Sequence, residues 1–166
     1  MLRRLILLSS LIIAVPVTAA STIFQASVSA HDEANISEAN ALHFGTVLNS
    51  AGATCNLDST GTVTGACASS DANVTVGIIN ISGLVANQPY QVEVVGSDNG
   101  VLRFSPAMTI DSIEVLDDDS DQTISTTTTQ AGDSTSITVY GNLEVLSELT
   151  SGALYQANYT VNVNFQ

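Results

Sequence analysis

The chain has no lysine and no tryptophan, and its only arginines are Arg3, Arg4 and Arg103. Sixteen carboxylates outweigh those three cations, for a formal charge of −13. A surface with that balance repels nucleic acid and anionic membranes, and it favours solubility and spacing between copies. Without lysine the chain cannot form a Lys–Asn isopeptide staple. Without tryptophan, and with only 5% aromatic residues, it has few rings on which a sugar could stack. The histidines are just His31 and His43, and the cysteines just Cys55 and Cys67. No Gly-x-Ser-x-Gly elbow exposes a serine, and no His-x-x-x-His pair offers metal ligands. The expectation is a protein that is not an enzyme and takes no cofactor.

Amphipathic runs of helical length are also missing; what is present alternates. From Tyr155 every second residue is apolar: Tyr155, Ala157, Tyr159, Val161, Val163 and Phe165. Gln156, Asn158, Thr160, Asn162 and Asn164 between them are all polar. Side chains alternate faces along a strand, so this pattern predicts a long, half-buried β-strand over Tyr155–Phe165.

The first residues read as a secretory signal peptide. Arg3 and Arg4 give a basic start, Leu5 to Val15 an apolar stretch too short to span a bilayer, and Val17-Thr-Ala19 a small-residue cleavage site. With a cut after Ala19 or Ala20 the formal charge moves from −13 to −15, because Arg3 and Arg4 leave. No later apolar run is long enough to span, so no membrane span is expected in the mature chain. The expected division is residues 1–20 as signal peptide, 21–40 as an N-terminal strand and joint, and 41–166 as one domain.

Short β-rich stretches punctuated by Gly, Asn, Asp and Ser fill that domain. They include Val74–Ile81, Tyr90–Val95, Val101–Phe104, Met108–Val115, Ser136–Tyr140 and Leu143–Leu146. Thr54–Leu57 and Thr62–Cys67 read as a hairpin around Asp58-Ser-Thr-Gly61. Eight to ten such strands predict an all-β, antiparallel β-sandwich of the immunoglobulin-like kind. In an oxidising compartment the two cysteines have only each other, so a Cys55–Cys67 disulfide is expected.

Asp117, Asp119 and Asp121 have the alternate spacing of ligands to a hard cation such as Ca²⁺. The loop lacks a Gly at its sixth position, and its twelfth is Thr128 rather than Glu. The cluster reads instead as a solvated acidic loop that keeps other strands from a sheet edge. Thr123–Thr129 after it reads equally as an edge strand, a modified segment or a loop.

Gly152, the alternation after it and the penultimate Phe165 resemble the terminal strand of chaperone–usher pilins. Ala41-Leu-His-Phe-Gly45 is similar to the Leu-x-Phe-Gly segment of the spore coat U-like, archaic fimbrial type, and of a related family of uncharacterised secreted bacterial β-sandwich domains. Ile137–Val145 is similar to a further stretch of those domains, although Asn142 stands where they tend to have a second Gly. The resemblance implies a fimbrial subunit whose terminal strand is gripped by a periplasmic chaperone, handed on at an outer-membrane usher, and held in the finished pilus by other copies or related subunits.

Ser21–Ala30 alternates too, with Phe24, Ala26, Val28 and Ala30 on one face. It reads either as the domain's own first strand or, as the resemblance implies, as a donor strand inserted into the next subunit. The first reading makes the protein a self-complete, monomeric secreted binding or adhesion domain. The second makes it a self-assembling surface subunit, which is the reading favoured here.

Overall fold

The computed structural model describes residues 33–115 and 122–166. The signal peptide, Phe24, Ala26, Val28, Ala30, Asp117, Asp119 and Asp121 lie outside the described residues. Among those described, all regular structure is β. In chain order the strands are β1 (Asn35–Asn40), β2 (Thr54–Leu57), β3 (Val63–Gly65), β4 (Gly77–Ser82), β5 (Pro89–Val95), β6 (Ser97–Asp98), β7 (Leu102–Ile110), β8 (Ile113–Val115), β9 (Thr123–Thr129), β10 (Ser134–Val145) and β11 (Thr160–Phe165).

They form an antiparallel sandwich. The larger sheet runs β1-β4-β10-β2-β3, with β7 on the other side of β10 and β6 and β8 beyond it. The smaller sheet is β11-β5-β9. Its central strand shows why the sequence folds this way: Tyr90, Val92 and Val94 of β5 are buried, while Gln91, Glu93 and Val95 face out. In the larger sheet Leu102, Phe104, Met108 and Ile110 of β7 and Ile137, Val139, Leu143 and Val145 of β10 supply the opposing core. Full burial of each such side chain stabilises the fold by roughly 1.5–3 kcal/mol.

Several elements differ from the sequence expectation. Val101–Phe104 and Met108–Val115 are not two strands separated by Pro106. β7 runs straight through Pro106, which lies opposite Gly141 where neither β6 nor β8 pairs, so its missing N–H falls on a stretch with one neighbouring strand. The chain then reverses at Asp111 and Ser112, whose φ values of 49° and 68° suit a two-residue hairpin turn, and returns as β8. Ser136–Tyr140 and Leu143–Leu146 likewise merge into β10. Thr123–Thr129 is a strand, β9, anchored by the buried Ile124. The sandwich also starts before residue 41: β1 pairs antiparallel with β4 and forms an edge of the larger sheet.

The terminal strand is shorter than Tyr155–Phe165. Only Thr160–Phe165 joins a ladder, because the partner β5 ends at Val95 opposite Thr160. Past Gly96 the chain enters β6, which pairs with β7 in the other sheet. Tyr155–Tyr159 still alternates, with Tyr155, Ala157 and Tyr159 half-buried and Gln156 and Asn158 exposed.

Candidate functional site

Cys55 and Cys67 are joined, with Cα atoms 5.4 Å apart. The bridge ties the start of β2 to the chain just past β3, and Cys67 bridges onward to Val47. Asp58 closes the intervening turn: its Oδ1 accepts the N–H groups of Thr60 and Thr62, each at 2.9 Å. The Thr60 hydroxyl, and then those backbone bonds, hold its carboxyl below the usual range. This corner is structural. It secures the segment Leu42–Leu48, which leads to the feature of most interest.

That feature is a trough between two sheet edges. β11 pairs with β5 on one side, and β1 pairs with β4 on one side; among the described residues no strand pairs with the other side of either. Val161, Val163 and Phe165 stand opposite Val94, Val92 and Tyr90, hence on the core-facing side of β11. On β1, Ile36 and Glu38 stand opposite Ile81 and Ile79, which are 0% and 4% exposed. They too face inward.

Between these edges lies a groove of about 1280 Å³ whose lining includes Ile36, Leu42, Phe44, Phe104, Tyr159 and Val161. Ile36 also lines an adjoining recess of about 610 Å³, together with Ala34, Val163 and Phe165. Phe104 packs edge-on against Phe44 at 5.7 Å and Tyr159 at 6.0 Å between ring centres, and the three rings make the floor. Tyr159 reaches over Gly77, where a Cβ would sit 3.0 Å from its hydroxyl oxygen. Among the described residues that hydroxyl is buried with no partner in bonding range. Its pKa is pushed up to about 12, first by burial and then by the Glu38 carboxylate.

Apolar exposure concentrates at this trough. Among the described residues the exposed large hydrophobic side chains are Ile36, Leu48, Ile113, Leu154 and Phe165, at 40%, 62%, 71%, 79% and 43%. All but Ile113 line the groove or its recess. Apolar surface gathered in one concave strip marks an interaction site rather than scattered surface residues.

The structure therefore places all six residues of the terminal pattern along one trough: Tyr155, Ala157, Tyr159, Val161 and Val163 half-buried, Phe165 exposed at its end. His43 is exposed, its Nδ1 accepting the N–H of Gly45 at 2.9 Å. Sequence reasoning missed the opposite wall. Asn35-Ile-Ser-Glu-Ala-Asn40 holds one large apolar residue, so no periodicity announces a strand. The described residues contain no group of three His, Cys, Asp or Glu side chains able to hold a metal ion.

No curated protein and no solved structure matches this chain. A family model does, over residues 34–165, a span that takes in all the described strands from β1 to β11. The chain belongs to the family of domains of unknown function designated DUF4402.

Proposed function

We propose that the protein is a secreted structural subunit of a bacterial surface fibre, joined to its neighbours by β-strand complementation. The observation that carries this reading is the trough between β1 and β11, with a strand edge along each wall, an aromatic floor and most of the exposed apolar side chains. An added strand meets both needs of such a site. Its backbone pairs with edge N–H and C=O groups, and alternate side chains fill the pockets between the sheets.

The occupant is Ser21–Ala30 of another copy. Phe24, Ala26, Val28 and Ala30 alternate as the trough requires, and the segment carries no charged side chain. Neutrality matters, because the charged side chains lining the groove and recess are the carboxylates Glu33, Glu38 and Asp71. Ten extended residues reach roughly 33 Å, longer than the roughly 20 Å of a six-residue strand such as β11. The donor therefore also runs beside Tyr155–Tyr159. Burying Phe24 and Val28 contributes roughly 1.5–3 kcal/mol each. On this reading the Met1–Ala20 signal peptide directs export, a periplasmic chaperone covers the trough first, and an outer-membrane usher exchanges it for the next subunit.

Size-exclusion chromatography of the mature chain tests the proposal. Val28→Asp would bury an unpaired carboxylate in the trough, so multimers of the variant should disappear. Its trough stays intact and should bind a peptide of wild-type Ser21–Ala30. A wild-type chain that stays monomeric and ignores the peptide would overturn the proposal in favour of a self-complete binding domain.

A further inference from the structure

Glu38 occupies an unexpected place. Its partner on β4, Ile79, belongs to the core, and its neighbour two residues back on the same face is Ile36. A carboxylate therefore stands at an inward register of an edge strand, where an apolar side chain would make the better wall. Just beyond it the pairing slips, with a bulge between Glu38 and Asn40. Inward-pointing charges and bulges are two devices by which sheet edges resist unwanted strands.

Among the described residues, the surroundings of Glu38 offer its carboxylate no cation. Across the trough stands Tyr159, whose buried hydroxyl has no partner in bonding range but lies near enough to the Glu38 carboxylate for that charge to help raise its pKa. β4 presents the apolar Ile79. The other titratable groups lining the groove have partners of their own: His43 accepts from Gly45, Asp71 from Thr46 and Asn73, and Tyr155 from Thr150. Arg103, the only arginine beyond the first four residues, is committed to Asp98 and Glu144 at 3.0 Å each. Glu38 is exposed, and water solvates it until something covers it.

We propose that Glu38 is a proton-linked gate on the trough, which decides what may add along β1 and under what conditions. This rests on the strand-accepting reading above. A strand laid along β1 covers the carboxylate and withdraws it from water, which favours its protonated form. The side chains of the donor Ser21–Ala30 bring no cation to pair with it. The occupied state therefore binds more protons than the open one, and occupation strengthens as pH falls. At neutral pH the same charge turns away stray strands, acidic ones most of all.

The test uses the mature Val28→Pro chain, whose own segment cannot pair as a strand and adds no titrating group, with and without Glu38→Gln. Affinity for the Ser21–Ala30 peptide, acetylated and amidated at its ends, is measured from about pH 7.5 to about pH 5, in salt high enough to screen the net charge of the chain. With Glu38 present, the peptide should bind at least about tenfold tighter at the acid end, since each unit of pKa difference is worth a factor of ten. Glu38→Gln, nearly isosteric, should bind at neutral pH as tightly as the parent does in acid, with most of the slope gone. Equal slopes in the two chains, or no slope in the parent, would overturn the gate and leave the trough's occupant untouched. A peptide that binds neither chain at any pH would overturn the strand-accepting reading itself, and the gate with it.

Discussion

Gly141→Ala puts the central crossing of the larger sheet under direct strain. β10 passes β7 at this residue with φ at 138°, a backbone conformation that L side chains rarely adopt. A Cβ there would overlap the carbonyl oxygen of Ser105 and lie 2.9 Å from the Ala107 nitrogen and 3.0 Å from the Pro106 Cα. All three are backbone atoms of β7, so no side-chain rotation relieves the clash. Backbone strain costs roughly 1–3 kcal/mol, and forced repacking roughly another 1–3 kcal/mol. A less flexible unfolded chain offsets about 0.4–1 kcal/mol. The net loss is roughly 2–5 kcal/mol against a typical total of 5–15 kcal/mol. Urea unfolding followed by circular dichroism should show it as a midpoint roughly 1–3 M lower, with an m-value of about 1–3 kcal/mol per M unchanged. Gly132→Ala, where a Cβ meets nothing within 4 Å, is the control. If the two variants unfold within about 0.5 kcal/mol of each other, the reasoning about this crossing is wrong.

Two further outcomes follow from the structure. Mass spectrometry of the exported protein without reductant should find no alkylatable thiol, and Cys67→Ala should lower stability by about 3 kcal/mol on the loop-entropy model; two free thiols in folded protein would contradict the bridge. Tyr140, pushed up to about 12 by burial and by the Glu114 carboxylate it donates to, and Tyr159, also pushed up to about 12, should ionise late in an ultraviolet titration. Because the folded state raises these pKa values above the unfolded 10, their stability contribution is intact below pH 10 and lost as pH rises towards 12; four tyrosines titrating together near 10 in the folded protein would refute it.

Much of the fold was legible because alternation is a local signal. The inward and outward faces of β5 read correctly from Tyr90 to Val95, and the hairpin closed by Asp58 and Gly61 lies where expected, with its outgoing strand shortened to Val63–Gly65. Where the sequence misled, the deciding contact came from elsewhere in the chain. Pro106 and Gly141 look like breaks in isolation, yet they face each other, so the residue lacking an N–H lies opposite the residue lacking a side chain. Tyr155–Tyr159 has the pattern of a strand but no partner ladder, because β5 ends at Val95. The candidate site was half legible. Its β11 wall follows from the apolar register of the last residues, whereas the β1 wall rests on Ile36 and Glu38 in a polar hexapeptide that only its pairing with β4 makes a strand. Glu38 in particular carries no sequence signal, since its meaning depends on facing Ile79 and the trough.

Hydrogen exchange on the mature protein tests the central claim most directly, with protection of Ser21–Ala30 followed as protein concentration is raised. If the segment fills the trough of another copy, its amides should exchange freely in dilute monomer. They should become protected together with the outer-edge amides of Asn35–Asn40 and Thr160–Phe165 as multimers form. Protection of Ser21–Ala30 that is already complete in the monomer and independent of concentration would contradict the account.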